Sequence, residues 1–155
     1  MFKLTKRYCI SVLVVILLIA LLSPWLVYEA GLSNINGRPS IGNANFVSRE
    51  DATEIWIELK ETGPIRMEIM TPYSYLFSLI LDEHNSPGSR LAWYVARDYN
   101  ADRLKDKRMI WWHLSGAAMT VWLTRNSNLE DLLTKANKIH LSRARAVSAQ
   151  SKRTD

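Results

Sequence analysis

Residues 8–28, "YCISVLVVILLIALLSPWLVY", run for 21 residues without one charged side chain. At about 1.5 Å per residue, such a helix covers the roughly 30 Å of hydrocarbon in a bilayer. Lys3, Lys6 and Arg7 stand before the run and Glu29 and Arg38 after it, so the positive-inside bias places residues 1–7 in the cytoplasm. Trp25 and Tyr28 fall where an interfacial aromatic belt sits. The competing reading is a cleaved signal peptide, whose apolar core ordinarily has about 7–15 residues before a small-x-small site. Here the core is longer, and Tyr28 and Glu29 spoil the cut after Ala30. Cys9 precedes the run, where a lipidated cysteine would follow it. The expectation is an uncleaved anchor over residues 8–28.

The anchor leaves about 120 residues, enough for one core. Residues 29–46, rich in Gly, Asn, Ser and Pro, read as a linker, residues 47–142 as a helical domain and residues 143–155 as a basic, fraying tail. The formal charge of +5 sits at the two ends, because residues 29–137 carry 12 basic and 14 acidic side chains. A near-neutral body is no footprint for nucleic acid. The single cysteine excludes an internal disulfide, and His84, His113 and His140 are spaced too widely for a metal motif. No cofactor motif is present, and neither Ser115 nor Ser89 stands in a nucleophile elbow.

Periodicity makes the body mainly α. Ser48 with Asp51 resembles a capping box, and Ala52, Ile55, Trp56 and Leu59 recur at helical spacing, which predicts a helix over 49–61. Alternation in "EIWIELK" keeps a strand reading open. Residues 65–70, "IRMEIM", suit a short strand or an extended piece. Thr71-Pro72 opens a helix over 72–83, Ser89 caps the next, with Leu91 and Val95 inward, and it fades near Asn100. Ser127 with Glu130 is a further capping box, before a stripe of Leu129, Leu132, Leu133, Ala136 and Ile139.

Between them, "RMIWWHLSGAAMTVWLTRN" is apolar around its whole circumference. Its residues 109–124 give about 24 Å of helix, short of a bilayer. A second span would also put Arg103, Lys105, Lys107 and Arg108 outside, against the charge bias. A surface-lying helix stays open, but the favoured reading is the central helix of the domain. Trp111, Trp112 and Trp122 then supply buried area, Ser115, Gly116, Ala117 and Ala118 admit a neighbouring helix, and His113 is a core histidine bonded to a backbone carbonyl.

"PGSRLAWYVARDYN", a long helix and then "AAMTVWLTRNSNLEDLL" resemble, in order and spacing, the middle of the peptidoglycan glycosyltransferase domain, the lysozyme-like helical module that polymerises lipid II. Its Gly-Ser-Thr-Ile-Thr-Gln-Gln motif and following Leu-Ala-Arg-Asn are partly echoed by Gly88, Ser89, Leu91, Val95, Ala96 and Arg97, and its later helices by Trp122, Leu123, Arg125, Leu132 and Leu133. The chain departs where that family has Thr and two Gln, carrying Arg90, Trp93 and Tyr94. Where a basic-basic-Leu-Lys-Glu motif belongs, it has "WHLSG". Glycosyl transfer needs a carboxylate base and cations on the diphosphate. The family's upstream Glu-Asp-x-x-Phe-x-x-His motif is missing, and Glu54, Glu58 and Glu61 read as a solvated helix face.

The resemblance implies a lysozyme-like periplasmic domain that kept the scaffold without the reaction. The expected protein is a single-pass inner-membrane protein of a bacterial envelope, acting as a binding or accessory protein. Ser89, Arg90, Arg97 and His113 are the candidate binding residues, with no catalytic residue, metal or cofactor. The expected partners are an envelope protein, lipid II, peptidoglycan or anionic lipid headgroups, the last met by Arg90, Arg97, Arg103, Lys105, Lys107 and Arg108. The alternatives are a divergent active glycosyltransferase and an immunity or inhibitor protein against a periplasmic toxin.

Overall fold

A computed structural model describes residues 2–40, 47–61, 63–81, 86–104 and 108–151. Among them the chain forms six helices and no strand: α1 (Phe2–Ser33), α2 (Arg49–Glu58), α3 (Pro72–Leu81), α4 (Ser89–Arg103), α5 (Met109–Asn126) and α6 (Leu129–Ser151). The protein is mainly α, as the periodicities predict. Of the described helices, α1 alone is long and apolar enough to cross a membrane, over Ile10–Ser33. The helix around "EIWIELK" disposes of the strand reading, and residues 66–70 are extended without a ladder partner.

The helix ends follow local chemistry, with shifts from the sequence expectations. Ser48 Oγ accepts the Asp51 N–H at 3.0 Å, as its capping box requires. α2 stops at Glu58, short of the predicted residue 61, because Lys60 turns left-handed at φ 57 and the N–H groups of Lys60 and Glu61 close back onto Ile57 and Trp56. That is a Schellman ending with lysine where glycine is usual. Thr71 and Ser74 exchange side-chain bonds with each other's N–H, at 3.0 and 2.8 Å, ahead of Pro72. Residues 82–85, the end of the helix predicted over 72–83, lie outside the described residues.

α4 is not capped by Ser89. Its N-cap is Gly88 at φ 81, and a Cβ there would sit 3.1 Å from the Arg66 carbonyl and from Met67. The helix also outruns Asn100, ending at Arg103 with the Leu104 N–H returned to the Asn100 carbonyl. At α6, Asn128 Oδ1 accepts the Asp131 N–H at 2.7 Å, so the cap sits one residue past the predicted Ser127, whose hydroxyl is buried in the turn. The shorter side chain ends α5 instead.

α5 is the central helix. Met119 and Leu123 enter a core built with α2, α4 and α6, while Ala118 and Val121 enter a second with Tyr28 and Leu32 of α1 and Met70 of the extended segment. Two corrections concern the tryptophans and the ends of the domain. Trp111 is 38% exposed, and the deeply buried tryptophan is Trp56 of α2. The expected linker begins as helix: α1 continues to Ser33, and Gly31, Leu32 and Ile35 are buried in the domain. The tail expected to fray is α6 as far as Ser151.

α1 and α5 run antiparallel. Trp25 lies under the Arg125 guanidinium at 5.5 Å, Tyr28 meets Ala118 and Val121, and Gly31 meets Leu114 and Ala118. A Cβ on Gly31 would stand 2.7 Å from Ala118 Cβ and 2.8 Å from the Leu114 carbonyl, and Ser115 Oγ donates to the Gly31 carbonyl at 2.9 Å. The small-residue run therefore admits a helix, as read from sequence, and that helix is the C-terminal end of the apolar run itself.

Candidate functional site

On the other side of the same run, α4 approaches. A Cβ on Gly116 would touch the Trp93 ring at 2.7 Å, so the missing side chain is what lets that indole approach α5 this closely. Trp93 and Trp112 then meet edge to face, with centroids 6.1 Å apart and planes at 84°. Trp112 meets the His113 ring at 5.0 Å and 89°, and the Arg97 guanidinium lies 6.0 Å from the Trp112 centroid. Edge-to-face pairs and a cation over a ring are the favourable geometries for these groups. Arg97 and His113 are exposed while Trp93 and Trp112 are half-buried, so the cluster is a platform with cationic and imidazole groups at its rim.

Of the four candidate residues, the structure brings two together and places two apart from them. Arg97 and His113 share Trp112. Ser89 is buried with its hydroxyl in the interior. Arg90 is tied to the end of α2, its guanidinium donating to the Lys60 carbonyl and its N–H to Glu61 Oε1 at 2.9 Å. Glu61, just past the end of α2, thus caps α4 and is not part of a merely solvated helix face. Glu58 stays on the exposed face, where it meets His140 Nδ1 at 2.8 Å. His113 itself is on the surface, not in the core as expected, because the helix turns it away from both α1 and α4.

The sequence reading missed Trp93 and Trp112 as site residues. A signal was available: Arg90, Trp93 and Arg97 recur at the three- and four-residue spacing of one helical stripe, and an aromatic between two cations on a polar stripe is not a core position. A neighbouring cluster extends the polar side of α4, where Arg143 of α6 donates to Tyr94 Oη and Asp98 Oδ1, both at 3.2 Å. Burial raises the Tyr94 phenol above its ordinary value, with the Arg143 charge pulling the other way. Lys105 and Lys107, two of the cations assigned to lipid headgroups, lie outside the described residues. Among the described residues no group of three His, Cys, Asp or Glu side chains is placed to hold a metal ion.

Comparison of the chain with protein families, curated proteins and solved structures finds no match.

Proposed function

We propose that the protein is a membrane-anchored binding protein of the bacterial envelope, with residues 1–7 cytoplasmic and the helical domain periplasmic. The Trp93–Trp112–His113–Arg97 platform meets its ligand. The carrying observation is the Arg97 guanidinium over the half-exposed Trp112 ring, flanked by Trp93 and His113. Aromatic faces stack on the apolar face of a sugar ring, and guanidinium and imidazole donors pair with phosphate or carboxylate. A ligand that is both glycan and anion suits that mixture, which favours peptidoglycan or its lipid-linked precursor.

Height above the membrane supports the same class. Because α1 and α5 are antiparallel and Gly31 faces Leu114, Trp112 and His113 sit one to two helical turns past Tyr28, roughly 5–10 Å. The headgroup of a lipid-linked sugar diphosphate occupies that zone. The resemblance to the peptidoglycan glycosyltransferase domain points the same way, since "WHLSG" stands where that family carries charged residues of its groove.

The test uses the full-length protein in nanodiscs with and without lipid II, alongside isolated peptidoglycan. Binding to one of these is expected, weakened tenfold or more by Trp112→Ala and by Arg97→Ala. Binding that neither substitution changes would remove the platform from the proposal. Polymerisation of lipid II that is lost on substituting a carboxylate among Glu54, Glu58, Glu61 and Glu68 would replace a binding protein with an enzyme. Reporter fusions after Asn45 and after Asp155 should both register as periplasmic.

A further inference from the structure

Residues 69–81, "IMTPYSYLFSLIL", contain no charge, and the polar groups of α3 within them are limited to two serine and two tyrosine hydroxyls. Ten residues make about 15 Å of helix, half the hydrocarbon thickness, so α3 cannot cross. A helix of this composition in a water-soluble fold would be interior. Here Phe77, Leu79, Ile80 and Leu81 are 57%, 64%, 67% and 57% exposed, and among the residues of α3 only Pro72 is buried. Large apolar side chains exposed this far, four within five residues, call for an explanation.

Where α3 lies supplies the explanation. Tyr73 Oη donates to the Leu21 carbonyl, inside the apolar run of α1. Toward α1 and α5, Pro72, Tyr75, Leu76 and one side of Leu79 line an apolar groove of about 290 Å³ with Pro24, Val27 and Ala117. Apart from Ser23, residues 21–27 of α1 are themselves exposed or half-buried apolar residues near the end of the run. Pro24 carries no N–H for the Ala20 carbonyl, and Ser23 Oγ donates to it at 3.1 Å. Side-chain donors on carbonyls of a helix at this depth are what a medium without water requires.

We propose that α3 is embedded in the hydrocarbon of the leaflet into which the C-terminal half of α1 emerges. The protein then holds the membrane by one crossing helix and one half-depth helix braced against it. The occupant of the exposed α3 face is lipid acyl chain, because the surface is continuous with the lipid-facing surface of α1 and carries no charge. The inference rests on the reading that α1 crosses a membrane.

The experiment places single cysteines in full-length Cys9→Ser protein in phosphatidylethanolamine/phosphatidylglycerol liposomes, at Phe77→Cys and Ile80→Cys in α3, Leu17→Cys in α1 and Arg145→Cys in α6. Each is read by its rate with a water-soluble thiol reagent and, once carrying a fluorophore, by quenching from lipids labelled along the acyl chain. Phe77→Cys and Ile80→Cys are expected to react at least tenfold more slowly than Arg145→Cys and to be quenched within about twofold of Leu17→Cys. Unchanged thermal unfolding shows that the variants are folded. If Leu17→Cys is protected while the α3 sites react like Arg145→Cys, the inference is overturned and the anchor stands. If Leu17→Cys also reacts like Arg145→Cys, the anchor reading itself fails. Protection of the α3 sites without lipid quenching would mean that a second copy of the chain or a protein partner covers the face, which also overturns the proposal.

Discussion

Gly31→Ala tests the union of α1 and the domain. The new methyl would meet Ala118 Cβ at 2.7 Å and the Leu114 carbonyl at 2.8 Å. Ordinary carbon contact is about 3.5–4.0 Å, so α1 and α5 must part by about 0.9 Å. Neither obstacle can yield alone, one being a methyl on a rigid helix and the other backbone. Overpacking of this kind costs about 1–3 kcal/mol. The same displacement stretches the buried Ser115 Oγ to Gly31 carbonyl bond from 2.9 Å beyond hydrogen-bonding range, a further loss of about 1 kcal/mol. Alanine returns at most about 1 kcal/mol of helix propensity, leaving a net loss of about 1–3 kcal/mol. For a chain of this size that is about 3–10 °C in Tm, measured on full-length protein in detergent by tryptophan fluorescence. Ala118→Gly alone is destabilising, yet combined with Gly31→Ala it removes the closest contact, so the double variant should be at least 1 kcal/mol more stable than the sum of the singles. A Gly31→Ala protein as stable as the parent, or singles that add within about 0.5 kcal/mol, would refute the close approach.

Gly116→Ala should cost less, under about 1 kcal/mol, because the Trp93 ring it meets is a half-exposed side chain able to turn outward; the change should appear in tryptophan fluorescence and in ligand binding before it appears in Tm. Lys60→Gly relieves a left-handed lysine and should raise stability by about 0.5–1 kcal/mol in chemical denaturation, leaving the carbonyl that Arg90 holds in place. Glu61→Ala removes the acceptor for the Arg90 N–H and should cost about 1 kcal/mol by the same assay, with Glu61→Gln recovering most of it. Burial holds the Lys135 ammonium below its usual value of 10.5, opposed by the Asp131 charge, so the unfolded chain binds more protons than the folded one between the lowered value and 10.5. Stability from this group therefore rises with pH across that window. Lys135→Met should be more stable than the parent at neutral pH, with the advantage shrinking as pH rises toward 10.5, and an advantage that grows with pH would contradict the assignment.

Much of the fold was legible because it depends on near neighbours. The 21-residue uncharged run, the Ser48 and Thr71-Pro72 helix starts, and the inward stripes of α4 and α6 are period and capping chemistry, which act within four residues. The errors have one cause. By residue type Ser89 and Ser127 suit caps, but Gly88 and Asn128 hold those positions because residues 66 and 67 crowd Gly88 and the α5–α6 turn buries Ser127. His113 looked like a core residue because its helix is apolar all round, and periodicity cannot show which arc of such a helix is covered. The same blindness hid the platform: Trp93 and Trp112 are 19 positions apart and meet only because Gly116 lets α4 and α5 close up.

What the sequence by itself determined is what short-range chemistry controls: a mainly α chain, a first helix able to cross a membrane, and the small-residue gap in "LSGAAM" that admits a neighbouring helix. Which helix filled it was a tertiary decision. Residues that read as a loose linker became the end of α1, because Gly31 and Leu32 bury more surface against α5 than a free linker could, and Ser115 satisfies the Gly31 carbonyl there. That contact joins the apolar run to the domain, lays α3 beside it and fixes where the tryptophan platform stands along α1, none of which follows from spacing along the chain.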